Sequence, residues 1–376
     1  MTQLNQQQWL RYSRHYNVAQ FGIHGQQQLH RARVAIVGLG GLGAPVSLYL
    51  TAAGVGHLTL IDDDIVELSN LQRQVIFREQ DIGSAKVTSA ATHLRHLNSD
   101  IDINFIKQRL SVHNAMNHLA GFDIVVDCSD NFATRYLINE VCHHLSSAWC
   151  YASIAQYQGQ MALFKPGAAC FRCVFPSVDN HAVNCRDGGV LGAVPGVMGS
   201  LQASQVIQYL SDPEQYESNR LLSFDTRSLT SSTIRLQPSK FCATCQTQPQ
   251  GVEFKVQQSA DDQKPRSERE PAKSTLDGYE IDPKMLDEML RQSTVTLIDV
   301  RNRQEHQAYN IGGRLIPETE IIHFSPTFDS PSTIVLYCQS GARSTRAAVQ
   351  LRQRGIAAYS LAGGLQAYCA YQLALA

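Results

Sequence analysis

The segment RVAIVGLGGLGAPVSLYLTAAGVGHLTLIDDD constrains the fold more than any other stretch of the chain. Val34 to Val37 is a short, unbroken apolar run, the pattern of a strand buried on both faces. Ala44 to Ala53 reads as a helix closed by Gly54, and Leu58 to Ile61 as a second strand running into three aspartates. A glycine turn between a strand and a helix is the context that makes GxGxxG meaningful. Gly38 permits the tight turn and Gly40 lets a phosphate approach the backbone, with Gly43 completing the spacing. The helix N-terminus then offers free N–H groups and a positive dipole end to an anion. Asp62 ends the next strand, where an acid can bind ribose hydroxyls. On these features alone a nicotinamide-dinucleotide enzyme is the default, and a purely structural turn is the bland alternative.

The remaining pattern extends that unit and then changes. Residues 1–30 are Gln-rich but periodic through Leu4, Trp9, Leu10 and Tyr12, which predicts a docked helix. Strands are expected at Asp102 to Ile106 and Asp123 to Asp127, with helices between, giving an α/β fold with a mainly parallel, doubly wound sheet. After residue 150 come shorter strands, two cysteine pairs and the helical segment GVMGSLQASQVIQYL. Residues 246–275 are polar and charged, the composition of a flexible linker. A second, small α/β pattern begins near residue 276: a helix at Pro283 to Arg291, the strands TLIDV and TIVLYC, and a helix after Gly341. The expected divisions are 1–245, 246–275 and 276–376, and 376 residues suit two domains.

Asn70, Arg73, Gln74 and Lys86 follow shortly after the ribose-binding acid. Two separated cations suit a triphosphate better than a bridging diphosphate. Asp127, Asp130 and Asn131 lie at the end of DIVVDCSDN, the carboxyl edge where doubly wound sheets bind ligands, and a carboxylate there is a natural magnesium ligand. Together RYSRH, VGLGGLG, DDD…LSNLQRQ, DIG..K and DCSDN resemble the ThiF/MoeB family, bacterial relatives of ubiquitin-activating enzymes, from about residue 8 to residue 245. The resemblance implies a Rossmann-like sheet with extra strands. It also implies ATP and Mg2+, and a second substrate that is the C-terminal Gly-Gly carboxylate of a ubiquitin-like sulfur carrier. By that likeness Asp62 holds the ribose, Gly41, Asn70, Arg73 and Lys86 surround the phosphates, and Ser69 and Gln74 are further cofactor-binding residues. Asp130 is the magnesium-linked acid, with Asn131 beside it, and Arg14 reaches the neighbouring subunit's nucleotide in a homodimer. A carboxylate attacking the α-phosphate approaches a highly charged group, and Arg73, Lys86 and magnesium would neutralise that charge as pyrophosphate departs.

Ten cysteines without a secretory leader point to metal or thiol chemistry in a reducing compartment, and the chain is expected to be cytoplasmic. Cys170 and Cys173 (CFRC) match Cys242 and Cys245 (CATC), and together they supply four thiolates for a closed structural Zn2+ knuckle that would staple distant segments. A redox CxxC is the rival for either pair alone. Cys185, in VNCRDGGVLGAV, lies beside Arg186, which would favour a thiolate. A simply buried cysteine is the bland reading there. Relatives of the resembled family use a cysteine in this context for thioester or acyl-disulfide bonds with the carrier.

In the second domain Cys338 sits between a strand and a helix. The loop Cys338, Gln339, Ser340, Gly341, Ala342, Arg343 could turn backbone N–H groups toward the sulfur and hold a thiolate or persulfide. A phosphatase loop is the nearest rival. LIDVR, this six-residue loop and LAGGLQAY resemble the rhodanese family over residues 276–376, with Cys338 as the persulfide carrier and Arg343 biasing the loop. One departure is YNIGGRLIP, where rhodaneses read GHIxGAxNIP, so the path there is expected to alter.

Lys plus Arg (32) nearly equals Asp plus Glu (33), so no global field recruits nucleic acid or an anionic membrane. No apolar run approaches the length of about 18 residues needed for a membrane helix. The implied reaction is adenylation of the carrier followed by transfer of persulfide sulfur to form a thiocarboxylate. A ThiS-like carrier (thiamine) is favoured over a MoaD-like one (molybdenum cofactor) or a tRNA-thiolation carrier, and the sulfur donor would be a persulfide source such as a cysteine desulfurase. The competing classes are a nicotinamide-dependent oxidoreductase and a non-catalytic scaffold that binds the carrier.

Overall fold

Alternate residues of one short strand feed two different cores, and this sets the architecture of the first unit. In β1 (Arg33–Val37), Val34 and Ile36 enter one apolar cluster while Ala35 and Val37 enter another. Such a strand must be covered on both faces, which requires helices above and below the sheet. The computed structural model describes residues 5–177, 189–246, 279–292, 295–325 and 333–375. The chain divides into two compact units, Met1–Glu268 and Arg269–Ala376.

In the first unit, β1 is joined by β2 (His57–Ile61), β3 (Asp102–Ile106), β4 (Ile124–Asp127), β5 (Ala148–Ala155), β6 (Gln158–Phe164), β7 (Arg220–Asp225) and β8 (Thr230–Arg235). Their order is β3-β2-β1-β4-β5-β6-β7-β8; the first five are parallel and the last three are added antiparallel. The expected doubly wound sheet with extra strands is therefore present. Helices Gly43–Ala53, Lys86–Leu97 and Ala193–Ser211 cover one face through Val46, Leu50, Val87 and Met198. Ala115–Leu119 and Phe132–His144 cover the other through Leu119, Leu137 and Val141. Each fully buried Leu, Ile or Val contributes about 1.5–3 kcal/mol relative to exposure.

The N-terminal region forms three short helices, Gln6–Arg11, Ser13–Tyr16 and Gly22–Arg31, rather than one. Two left-handed residues, Gln20 (φ 69°) and Gly22 (φ 52°), break the path before the third. Docking is nonetheless firm. Tyr12 is buried against Gly54, the left-handed cap of helix Gly43–Ala53, and its hydroxyl accepts from Asn98 Nδ2 at 2.9 Å. A Cβ at Gly54 would lie 2.4 Å from the Tyr12 ring.

The second unit is a parallel sheet of β9 (Glu280–Ile281), β10 (Val295–Asp299), β11 (Arg314–Leu315), β12 (Thr333–Tyr337) and β13 (Ala358–Leu361), ordered β11-β10-β12-β13-β9. Helix Pro283–Arg291 begins where expected, with Asp282 capping Met285 N–H and proline in the first turn. The unusual YNIGGRLIP segment still supplies an edge strand, because Gly313 (φ 87°) passes so close to β10 that a Cβ would sit 2.4 Å from Leu297 O. Among the described residues no helix is long and apolar enough to cross a membrane. Of the expected linker, Gln246 closes the helix Ala243–Gln246, and residues 247–275 lie outside the described residues.

Candidate active sites

Strand order reverses between β1 and β4, and a doubly wound sheet opens its ligand crevice at that switch. The loops leaving both strands meet there. Gly38 turns with φ 93°, and its N–H donates to Ile61 O at 2.8 Å. A Cβ at Gly38 would press on Cys128 O at 2.8 Å, and one at Gly43 would lie 2.1 Å from Gly38 O, so strand and helix meet with no room for a side chain. Gly40 differs. A Cβ there would meet nothing nearer than Gln74 Nε2 at 3.9 Å, so the middle of the turn faces open space.

The polar residues predicted from the sequence gather around this turn with unequal commitments. Asp62 accepts from Leu39 N–H at 2.6 Å and from Asp64 N–H at 2.8 Å. Burial raises its pKa, and the Lys86 ammonium opposes that rise. Lys86 opens its helix while buried, with Nζ 3.1 Å from Asp64 Oδ2. Asn70 is buried and accepts from Glu67 N–H, whereas Ser69 is exposed and its carbonyl accepts from Arg73 Nη1 at 3.0 Å. Gln74 is 3% exposed, and its Oε1 has no hydrogen-bond partner. A buried amide oxygen left without a donor beside an open glycine turn is a group waiting for a ligand.

Across the crevice, Asp127 is fully buried at the end of β4. Burial pushes its pKa up to about 6 against the pull of Arg135, whose Nε lies 3.7 Å away. Its Oδ1 accepts from Ser129 N–H at 3.0 Å, and Arg135 Nη2 donates to Ser129 O at 3.0 Å. This pair clamps the turn from both sides and leaves Asp130 exposed at the crevice edge. Asn131 caps helix Phe132–His144 by accepting from Thr134 N–H at 2.9 Å, a structural duty not foreseen for it. Arg14 is exposed on its short helix. Asp62, Asp63 and Asp64 place carboxylate oxygens within 4.8 Å of one another, but turn N–H groups and Lys86 already engage Asp62 and Asp64.

Sequence reading missed the far wall. Helix Ala193–Ser211 packs backbone to backbone on the turn: Gly199 faces Leu42 O, Gly41 faces Pro195, and Gly192 faces Gln72 O. Only the glycine spacing in GVLGAVPGVMG signals it. Cys185 precedes this helix and lies outside the described residues.

The four paired cysteines converge. Sulfur–sulfur distances are 3.8 Å (Cys170–Cys173), 3.5 Å (Cys170–Cys242) and 3.6 Å (Cys173–Cys245). A tetrahedral ion with Zn–S of about 2.3 Å needs sulfurs about 3.8 Å apart, so the set fits zinc with no position left for substrate. Ser239 N–H donates to Cys173 Sγ at 3.3 Å. The knuckle is tied to helix Phe132–His144: Asn139 accepts from Phe171 N–H, and Glu140 receives both Thr244 Oγ1 and the Arg172 guanidinium.

In the second unit Cys338 directly follows the central strand β12 and is 1% exposed. Gly341 N–H points at its sulfur from 3.2 Å and Ser344 Oγ from 3.6 Å. Gly341 has φ 92° and starts helix Ala342–Gln353. Gly364, from LAGGLQAY, lies under the loop so closely that a Cβ would sit 2.5 Å from Cys338 O. Gln339 and Ser340 are exposed. Arg343 is held by both oxygens of Glu305, at 2.6 and 2.8 Å, a partner the sequence did not disclose. Asp299, fully buried, is engaged by Arg301 and by His306 Nδ1. Burial would raise its pKa, but these bonds hold it below the usual carboxylate value.

A profile described as the ThiF family matches residues 12–246, and one described as the rhodanese-like domain matches residues 282–371. The adenylyltransferase and sulfurtransferase MOCS3 of Drosophila persimilis is 35% identical over 98% of this chain and 84% of its own length. The SAMP-activating enzyme E1 of Haloferax volcanii is 40% identical over 62% of this chain and 88% of its own length. The chain spans 57% of the MOCS3 protein of Anopheles gambiae, which it also matches. Among solved structures, E. coli MccB with ATP superposes at a TM-score of 0.55 and 26% identity, covering 62% of this chain and 74% of that one.

Proposed function

The chain belongs to the ThiF family, with a rhodanese-like domain behind it, and from that premise we propose that it adenylates the C-terminus of a ubiquitin-like sulfur-carrier protein and then delivers sulfur to it. The observation that carries this reading is the pairing of two incomplete chemistries in one chain. One is an open glycine turn with Arg73 and Gln74 beside it and Lys86 acting on Asp62; the other is a cysteine loop that aims the Gly341 N–H at its own sulfur. Relatives named for adenylyltransferase and sulfurtransferase activity, and one named for activating SAMP, support it.

In the first step the carrier's terminal carboxylate attacks the α-phosphorus of ATP and pyrophosphate leaves, giving an acyl-adenylate. Arg73 and Lys86 offset the charge that moves onto pyrophosphate. Asp62 holds the ribose, and Gly38, Gly40, Gly41 and Gly43 let the phosphates approach the backbone and the helix N-terminus. Ser69, Asn70, Gln74 and Asn131 line the nucleotide. Asp130, an exposed carboxylate beside this crevice, is a hard oxygen ligand suited to Mg2+, which would further offset triphosphate charge. Arg14 serves the nucleotide of a second copy in a homodimer. Zinc held by Cys170, Cys173, Cys242 and Cys245 would be structural.

In the second step the persulfide on Cys338 attacks the acyl carbonyl and AMP leaves, joining the carrier to Cys338 through a disulfide-linked acyl group. A thiol then attacks the Cys338 sulfur, and the carrier thiocarboxylate departs. Cys185 is the in-chain thiol proposed for that exchange. The sulfur donor is a persulfide source such as a cysteine desulfurase, and a ThiS-like carrier is preferred over a MoaD-like one. Carrier-dependent ATP–pyrophosphate exchange tests the reading, with both carriers offered in parallel. Exchange with the ThiS-like carrier alone is expected. No exchange with either, while ATP still binds, would leave only carrier binding and overturn the proposed adenylation.

A further inference from the structure

The cysteine loop of the second unit carries an arginine whose charge is already matched. Arg343 stands two residues beyond Gly341, the glycine whose N–H faces the sulfur. Its Nη1 meets Glu305 Oε2 at 2.8 Å and its Nη2 meets Glu305 Oε1 at 2.6 Å, a two-pronged pair with side chains only 18% and 29% exposed. Such forked, charge-assisted bonds fix geometry as well as charge. Glu305 is itself held. Asn302 N–H donates to its Oε2 at 3.1 Å, and its own N–H donates to Asn302 Oδ1 at 2.9 Å, closing the first turn of helix Arg303–Ala308. The other guanidinium beside the loop, Arg301, is engaged by Asp299, by Tyr309 O and, at 3.5 Å, by Gln339 Oε1. The two residues that follow the cysteine, Gln339 and Ser340, are exposed and neutral.

Among the described residues the sulfur thus faces Gly341 N–H and Ser344 Oγ, while Arg343 and Arg301 are each paired with an acid. That arrangement stabilises one negative charge on the loop's own sulfur but offers little to a small anion arriving from solution. We propose that Glu305 is a specificity-determining residue: by holding Arg343 it denies dianionic sulfane-sulfur donors a docking charge and biases Cys338 toward sulfur offered as a persulfide. The proposal rests on the reading of Cys338 as the sulfur-carrying nucleophile.

The discriminating reaction is simple to balance. With thiosulfate, the Cys338 thiolate attacks the sulfane sulfur, a new S–S bond forms, the donor's S–S bond breaks, and sulfite leaves with its electron pair. No outside oxidant, reductant or proton is required. Three negative charges meet in the transition state, so an unpaired guanidinium at the rim would lower the barrier substantially. With a persulfide donor the charges that meet are fewer, and the same guanidinium matters less.

The test loads the full chain with thiosulfate or with cysteine persulfide and follows the added sulfur on Cys338 by alkylation and mass spectrometry. Glu305→Gln keeps an acceptor for Asn302 N–H but removes the carboxylate charge from Arg343. The ratio of thiosulfate to cysteine-persulfide loading rates is expected to rise about tenfold, and the gain should shrink as salt is added. Glu305→Asp, too short to reach both nitrogens, should give a smaller gain and guards against misfolding of the first variant. The double variant E305Q/R343Q should return to the wild-type ratio. An unchanged ratio in E305Q protein that still loads from cysteine persulfide overturns the proposal, as does a gain that survives in the double variant. Absence of sulfur on wild-type Cys338 from every donor would instead remove the reading of the loop itself.

Discussion

The two candidate sites treat charge in opposite ways. Around the glycine turn, polar groups are left short of partners: Gln74 Oε1 and Asp63 Oδ2 are buried without a hydrogen bond, and Asp127 faces Arg135 only across 3.7 Å. Around Cys338 the groups close on one another, with Asp299 on Arg301 and His306, and Glu305 on Arg343. Among the described residues, every buried side-chain nitrogen or oxygen without a partner lies in the first unit. An unsatisfied buried group costs about 1–3 kcal/mol, which a bound ligand can recover. The first site therefore keeps acceptor oxygens that a hydrogen-bond donor or a cation could satisfy. The second is built to carry charge of its own.

That contrast should separate under mutation. Cys338→Ala is expected to abolish thiocarboxylate formation while leaving carrier-dependent ATP–pyrophosphate exchange within about twofold of wild type. Lys86→Ala should do the reverse, lowering exchange by about 100-fold or more while Cys338 still accepts sulfur. Measuring both activities on both variants would break the comparison if either substitution impaired both. The second expected effect concerns metal. Stripping zinc should lower the melting temperature of the first unit by several degrees or more and leave the second unit's transition in place, as calorimetry of the whole chain would register.

The smallest expected effect is one of pH, and the sign differs between the units. Asp127 has its folded pKa raised from 3.8 to about 6, so the native state binds the proton more readily than the unfolded chain. It therefore opposes folding above that value, and the penalty is relieved as pH falls from about 6 toward 4, by no more than about 3 kcal/mol. Asp299 has its folded pKa lowered below 3.8. Its contribution is present above the unfolded value and is lost as pH falls through the folded one. Denaturant titrations at pH 7 and pH 5 should show the first unit gaining relative to Asp127→Asn, whereas the second unit is unmoved until more acidic conditions.

Much of this was legible in the sequence, for a local reason. The strands, the glycine turn and the cysteine loop announce themselves through periodicity and residue spacing within a few turns of chain. The start of the helix Pro283–Arg291 follows from a cap and a proline alone. What stayed hidden were partnerships between distant residues. Thr244 reaches Glu140 across 104 positions, and Arg343 reaches Glu305 across 38. Asp64 looked like one of three equivalent acids, yet only the fold sets it against Lys86. Asn131 shows a second kind of hidden partnership, since motif membership suggested a ligand but not that its side-chain oxygen also caps a helix.

The cysteine knuckle has a consequence best put in the language of polymers. Cys170 and Cys242 are 72 positions apart, so an ion that binds both pinches the chain into a closed ring containing the helix Ala193–Ser211 and the β7–β8 hairpin. By the loop-closure relation, a permanent tie across such a span removes disorder from the unfolded chain worth about 4 kcal/mol. The ring's neck is bolted to helix Phe132–His144, which begins at the crevice edge beside Asp130. The segment that forms the far wall of the crevice would thus be strung between two fixed posts, its freedom to wander set by a metal well away from the glycine turn.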